Sequence, residues 1–411
     1  MIWIGEAVFD GRLGEVSAEV RVGASDDTAT QRRRMFPLNA RERRVWYRTA
    51  PEFARFLTWE RSDGFVMHHL LRAFTEGHDI AFETPMSQSL YDGLTTIVIP
   101  LICSHVPDAW PVRLSGPVTE EPLPSAGAVA TFCSGGVDST YSIFTHQSSP
   151  TRERLTHLLC FDVGAFGDTS EPQAAEARDR TFRTAKAIAD APEVGLPLVT
   201  LESNLTHGAA VGHLMDEGFA NIGGALLLQK LMARCYCPSG GLAGAKLPAI
   251  SLLHSSDLPL WGGGACSTAT LRILPDEVRS RKEKLAKLVG YPPAQHYLSV
   301  EDGASGERNS GVKPKSVRTL LLLEELGDEA MGYFADRFDM AAFRAHRREV
   351  LREQLKSHLS GQNHFWQEFR DRVLAELSWM DHLQLAKWYW RAFWRKAGVR
   401  RRKRFASLEG K

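Results

Sequence analysis

At 411 residues with 43% hydrophobic content, the chain can bury a large core and is long for a single domain. A formal net charge of +1 excludes a global electrostatic pull toward nucleic acid, and six cysteines without a signal-peptide pattern point to a reducing cytoplasm, not a disulfide scaffold. No apolar run reaches the roughly 20 residues a spanning helix needs, so a soluble, cytoplasmic protein with no membrane partner is expected.

In chain order, IWIGEAVF and VSAEVRV carry strand signals, the second with Val16, Ala18, Val20 and Val22 along one apolar face. GFVMHHLLRAFTEG places Phe65, Leu70, Leu71 and Phe74 at helical spacing, and TTIVIPLIC is a further apolar stretch. The proline-rich polar run PVTEEPLPSAG reads as a linker and sets residues 1–123 apart as an α+β extension. Strand and helix signals then alternate: AVATFC, a helix, HLLCFDV, AAEARDRTFRTAKAIA, LPLVTLE and the small-residue helix NIGGALLLQKLMA. This alternation predicts an α/β domain over residues 124–327, a parallel sheet covered by helices. From residue 328 only amphipathic helix signals remain, first Phe338, Phe343, Val350 and Leu351, then Phe365, Phe369, Val373 and Leu377, then SWMDHLQLAKWYWRAFWRK. Residues 328–411 are therefore expected to form a helical region with a basic tail, where Arg391, Arg395, Lys396, Arg400, Arg401, Arg402, Lys403 and Arg404 have no acid among them.

The stretch VATFCSGGVDST at 129–140 is the most informative in the chain. Its run Ala128–Cys133 predicts a strand, and Asp138–Phe144 a helix capped by Asp138 or Ser139, which puts Gly135 and Gly136 in the turn between them. Backbone N–H groups and the positive end of a helix dipole at such a turn favour a phosphate. The plainer alternative is an ordinary turn that contains two glycines. Ser134 and Ser139 add hydroxyl donors, and Asp138 adds a carboxylate suited to a magnesium ion that bridges phosphates. No Walker A loop is present; the nearest imitation, SGGLAGAKL at 239–247, has the wrong spacing and no hydroxyl after Lys246.

SGGVDS, with a strand before it and a helix after it, resembles the loop of the PP-loop ATP pyrophosphatases, which cleave ATP to AMP and pyrophosphate while activating a carboxylate or carbonyl. The resemblance implies a doubly wound parallel sheet, with ATP and Mg2+ at the loop after its first strand. It assigns Ser134, Gly135, Gly136, Asp138 and Ser139 to phosphates and metal, and places Phe161 and Asp162, at the end of the second strand, beside the adenine.

NSGVKPKSVRTLLLLEELG at 309–327 is similar to the segment NCGxCxKCxRT of 7-cyano-7-deazaguanine synthases (QueC-like proteins), with Asn309, Gly311, Lys315, Arg318 and Thr319 in register. By that resemblance Lys315 and Arg318 lie next to the active site and join Asp138 as catalytic candidates. The cysteines of the segment are replaced by Ser310, Lys313 and Ser316, and the upstream ligand position falls near Glu301. Four thiolates at such spacing build a tetrahedral zinc site, so zinc is not expected here. Cys235, Cys237, Cys266 and His254 leave a different metal arrangement open beside the simpler reading of buried free thiols. In RSRKEKLAKL, Arg281 and Lys284 share one helix face, which is either a solvated basic face or, by the resemblance, a contact for phosphate or carboxylate. His207, in SNLTHGAAVGH, follows the third strand as a solvent or capping residue or as a substrate contact. Trp388, Trp390 and Trp394 followed by VRRRKR fit either nucleic-acid stacking and phosphate contact, or a helix packed on its own protein with a solvated basic end.

The resemblance covers about residues 126–327, and the two extensions are similar to those of longer QueC-like proteins in bacterial antiphage defence operons. It implies an ATP-dependent ligase that adenylates a 7-deazaguanine derivative, releases AMP and pyrophosphate and joins the product to an amine. A protein partner's N-terminus, from the same operon, is the favoured acceptor. The alternatives are 7-cyano-7-deazaguanine (preQ0) synthesis with ammonia, another PP-loop tRNA-modifying or amide-forming reaction, and a nucleotide-binding scaffold without catalysis.

Overall fold

The computed structural model describes residues 1–23, 44–106, 109–167, 171–205, 212–239, 257–277, 279–301, 308–359, 369–388 and 390. His207, Lys246, His254, Phe365, Trp394 and the basic tail lie outside these residues. The chain divides into two compact units, Met1–Ser305 and Gly306–Lys411.

The strands of the first unit are β1 (Ile2–Ile4), β2 (Val8–Asp10), β3 (Glu15–Val22), β4 (Arg44–Thr49), β5 (Ile80–Phe82), β6 (Met86–Ser87), β7 (Leu114–Ser115), β8 (Val118–Thr119), β9 (Ala128–Phe132), β10 (His157–Asp162), β11 (Leu198–Ser203), β12 (Met232–Cys237) and β13 (Arg272–Pro275). Its helices are α1 (Asp63–Glu76), α2 (Gln88–Gly93), α3 (Ile99–His105), α4 (Val137–Gln147), α5 (Pro172–Asp190), α6 (Gly212–Leu227), α7 (Arg281–Leu288) and α8 (Pro292–Tyr297). Among the described residues, eleven strands form one sheet in the order β13-β12-β9-β10-β11-β4-β3-β1-β5-β7, with β2 paired to β3; β6 and β8 pair separately. Neighbours are parallel from β13 to β11, antiparallel from β11 to β1, and parallel again through β5 and β7. The unit is thus α/β with a mostly parallel central sheet, compatible with a doubly wound fold.

Strand periodicity explains why helices cover both faces. Ala128, Ala130 and Phe132 of β9, with Leu159 and Phe161 of β10, join the core that α1 and α6 cover. Val129 of β9, with Leu158 and Cys160 of β10, joins a second core with Ile143 of α4 and Ala185 and Ile188 of α5. Alternating side chains enter opposite cores, so β9 is buried along its whole length, as a central parallel strand requires. Because β10 and β11 lie to one side of β9 and β12 and β13 to the other, the strand order reverses at β9. A crevice at the carboxyl end of such a strand is where open α/β sheets bind ligands.

The three segments expected from composition do not coincide with these units. Strand β4, from the N-terminal segment, pairs with β11 through Leu201↔Thr49, Glu202↔Arg48 and Ser203↔Tyr47, and Thr49 Oγ1 donates to the Thr200 carbonyl at 2.6 Å. PVTEEPLPSAG is an exposed connection within one sheet, and composition registers its exposure without seeing the pairing that bridges it. The helix expected through Ala233 stops at Leu227: the Leu231 N–H turns back to Leu228, and Met232 pairs with Ala128 to open β12. TTIVIPLIC is helical, a π-helical turn at Leu94–Val98 that runs into α3.

In the second unit α9 (Pro314–Leu326), α10 (Asp328–Phe334), α11 (Met340–Leu359) and α12 (Arg370–Glu376) pack together. Arg347 of α11 joins Glu324 of α9 to Glu376 of α12, and Arg372 also reaches Glu324. The Asn309 N–H donates to the Arg337 carbonyl at 2.8 Å, and the Asp339 N–H returns to the Asn309 carbonyl at 2.8 Å. Gly311 sits at φ +72° with the Asp339 carbonyl 2.4 Å from where a Cβ would stand, so only glycine fits. Residues 379–388 are helical. Asp381 anchors them to Arg348 and Arg352 of α11, while Trp379 and Trp390 are 69% and 65% exposed.

Helices α1 and α6 meet through two glycines. A Cβ on Gly64 would stand 2.5 Å from Leu227 Cγ and 2.7 Å from the Gly223 carbonyl. Gly64→Ala is therefore expected to lower unfolding stability by about 1–3 kcal/mol through overpacking, measured by denaturant titration of the full chain. A loss under about 0.3 kcal/mol would mean that the helices can separate freely.

Candidate functional site

The turn after β9 is held by its backbone. Gly135 sits at φ +79°, where a Cβ would come within 3.0 Å of Thr184 Cγ2, and its carbonyl accepts from the Ser299 N–H at 2.8 Å. Gly136, with extended ψ of 169°, is the N-cap of α4, and no side chain caps the helix. This corrects the capping role expected for Asp138 or Ser139, since both fall inside the first turn. The Ser139 hydroxyl donates to the Gly136 carbonyl at 3.2 Å and accepts from the Ser134 N–H at 3.3 Å; the Ser134 and Ser139 hydroxyls are 3.1 Å apart. Ser134 is exposed. The orphan N–H groups of the first helical turn and the helix dipole thus meet a hydroxyl-lined, glycine-shaped turn at the sheet's switch point.

The Asp138 side chain is drawn instead toward α7, whose start is fixed by a capping box between Ser280 and Glu283. One turn apart on the same face of that helix, Arg281 bonds Asp138 Oδ2 and Lys284 Nζ donates to Asp138 Oδ1 at 2.8 Å. Lys284 also donates to the Ser239 carbonyl, and its ammonium stands 5.6 Å from the Tyr141 ring centroid. The Lys284 side chain is 0% exposed and that of Asp138 17%. Of the two readings of this basic face, the solvated one fails. Burial works to raise the Asp138 carboxyl, but the Arg281 and Lys284 charges outweigh it and hold the group down to about 2.

The other expected residues belong to other elements. Phe161 packs edge-on to Phe132 at 5.4 Å within the core and leaves no room for a Cβ on Gly224, while Asp162 is buried at the end of β10. Lys315 and Arg318 lie on α9 of the second unit, where the Thr319 hydroxyl donates to the Lys315 carbonyl at 2.8 Å and Arg318 is buried. At two of the positions where the resemblance replaces thiolates, the Ser310 hydroxyl accepts from the Val312 and Lys313 N–H groups at 3.3 and 3.2 Å, and Ser316 is buried within α9. Cys235, Cys237 and Cys266 are buried thiols, and burial pushes Cys266 up to about 12.

Sequence reasoning missed a group next to Asp138. Tyr141 donates from its hydroxyl to Glu277 Oε2 at 2.8 Å, and Arg279 forks onto the same carboxylate with two bonds of 2.7 Å. The Arg279 bonds, then the Tyr141 hydroxyl, hold Glu277 down to about 2. His146 Nε2 meets Asp276 Oδ1 at 2.9 Å, with its ring stacked on Tyr236 at 3.6 Å. Two signals were available: Tyr141 and His146 follow Asp138 by three and eight residues on one helix, and Asp276 and Glu277 directly follow a strand that ends at the sheet's carboxyl edge.

Chemically, the site offers an anion the N–H groups of α4, the Ser134 hydroxyl and two clustered cations, with one carboxylate among them. Asp138 contributes stability that is present above its unfolded value near 3.8 and lost as pH falls through about 2. The shift corresponds to about 2 kcal/mol. The stability difference between the parent chain and Asp138→Asn should therefore shrink by that amount between pH about 4 and pH 2, read from denaturation midpoints at stepped pH. A constant difference would show that the carboxylate does not titrate as the geometry requires. Compared with known proteins, the chain matches no protein-family model, no curated protein and no solved structure.

Proposed function

We propose that the chain is an ATP-dependent, AMP- and pyrophosphate-forming ligase, with Mg·ATP as substrate at the turn Ser134–Ser139. One observation carries this reading: at the point where the strand order reverses, an uncapped helix N-terminus, a glycine turn and the Asp138–Arg281–Lys284 cluster converge. Pyrophosphate leaves with charge that must be stabilised as it develops, and preorganised N–H groups and cations are suited to that. Asp138 is the one acid of the cluster and would face the magnesium of the incoming nucleotide. The 7-deazaguanine substrate and the amine acceptor rest on the sequence resemblance of 309–327, as do the roles of Lys315 and Arg318. On the same basis a protein N-terminus from an operon neighbour is the proposed acceptor. Synthesis of the free nitrile with ammonia is the alternative.

Asp138→Asn should lower substrate-dependent AMP and pyrophosphate release by at least about a hundredfold, with the circular dichroism of the parent. Release at the parent rate would remove Asp138 from the chemistry. Incubation with Mg·ATP, a deazaguanine precursor and the neighbouring protein should raise the neighbour's intact mass by one deazaguanine unit. Free nitrile without any mass shift would select the ammonia reaction.

A further inference from the structure

Three residues of α4 hold three successive parts of the segment that carries α7. Near the C-terminal end of α4, His146 Nε2 bonds Asp276 Oδ1 at 2.9 Å; one turn after its start, the Tyr141 hydroxyl bonds Glu277 at 2.8 Å; in the first turn, Asp138 takes Arg281 and Lys284. The contacts run antiparallel along the helix, from 146 to 138 against 276 to 284. Each partner is fixed in turn. Asp276 Oδ1 also accepts from the Glu277 N–H at 2.7 Å, the Asp276 N–H donates to the Cys237 carbonyl at 2.9 Å, and Arg279 forks Glu277. His146 cannot turn away without leaving its stack on Tyr236 of β12.

The group is also held under polar stress. Asp276 Oδ2 and His146 Nδ1 are both buried with no hydrogen-bond partner among the described residues. A buried polar atom left bare keeps its desolvation penalty without a compensating bond, so a pair meant only to fill space would be better served by apolar side chains of the same size. What the pair supplies is direction: it fixes where the chain leaves β13, and so where Arg281 and Lys284 enter the site.

We infer that His146 and Tyr141 are positioning residues, which set the Arg281–Lys284 cation pair against the phosphate-side turn by clamping Asp276 and Glu277 to α4. Neither touches the reacting atoms in this scheme. The part of the inference that concerns nucleotide rests on the ligase reading; the clamp itself does not.

The test uses the full chain with His146→Phe, which keeps the stack on Tyr236 but removes the donor, with Tyr141→Phe, and with His146→Gln, whose amide nitrogen can restore the donor. Amide hydrogen exchange across residues 281–288 should rise in both phenylalanine variants and return to the parent level in His146→Gln. Mg·ATP binding should weaken about tenfold in the first two and recover in the third, with turnover at saturating ATP changed less than about twofold, since a lost hydrogen bond to a charged group is of that size. Should His146→Phe fail to fold, Tyr141→Phe, which keeps the ring beside Lys284, decides alone. Parent-level exchange across 281–288 in a folded phenylalanine variant, or no recovery in His146→Gln, overturns the clamp. Altered exchange in a chain that binds no nucleotide would leave the clamp standing and overturn the ligase reading instead.

Discussion

Two cations and one carboxylate packed at the carboxyl edge of a sheet, with the lysine wholly inside, form the interaction on which the site is built. Three charges taken from water incur a desolvation penalty that one ion pair seldom repays. Here Asp138 divides its two oxygens between Lys284 and Arg281, and the Ser239 carbonyl and the Tyr141 face supply the remainder of the lysine's shell. The cluster still carries one positive charge in excess, and the buried Nε of Arg281 has no acceptor among the described residues. Beside it is the positive end of α4. An anion completes this arrangement electrostatically, which a neutral ligand does not.

The frame that holds the cluster is larger than the strands that border it. Residues of β9 and β10 divide between two cores, and α1, from the N-terminal segment, closes one of them against α6. The N-terminal strands are therefore part of the domain that carries the site, in the same sheet as the loop's own strand. The second unit has its own logic, in which Arg347 and Arg372 gather the acids of α9 and α12.

Local signals in the sequence conveyed the parts that local physics decides. The strand at 128–132, the turn glycines and the helix after them were legible because apolar alternation and glycine at a strand end leave few other conformations, and Arg281 with Lys284 were legible as a pair by their spacing. The cap was misread because Asp138 has two uses, and a cation from 143 residues away outbids the helix's own N–H groups for its carboxylate. The linker at 117–127 marked exposure, not a boundary, because β4 reaches β11 across some 150 residues and no window of composition spans that pairing. His146 and Asp276 form a buried pair whose members are 130 residues apart, so each alone reads as an ordinary polar residue.

The pairing of β4 with β11 has a consequence for how such a chain can be cut. Without residues 1–49, β11 would become the rim of the sheet, with a row of bare N–H and C=O groups along Leu198–Ser203 and its alternate apolar residues Val199 and Leu201 beside them. Rims of that kind recruit further strands from other molecules unless something blunts them. The N-terminal strands provide the blunting by continuing the sheet antiparallel, so the parallel half never meets solvent edgewise on that side. In this chain the extension acts as a selvedge: the weave of the parallel half is finished by it on that side, and trimming it to a minimal α/β core would leave an adhesive border along β11.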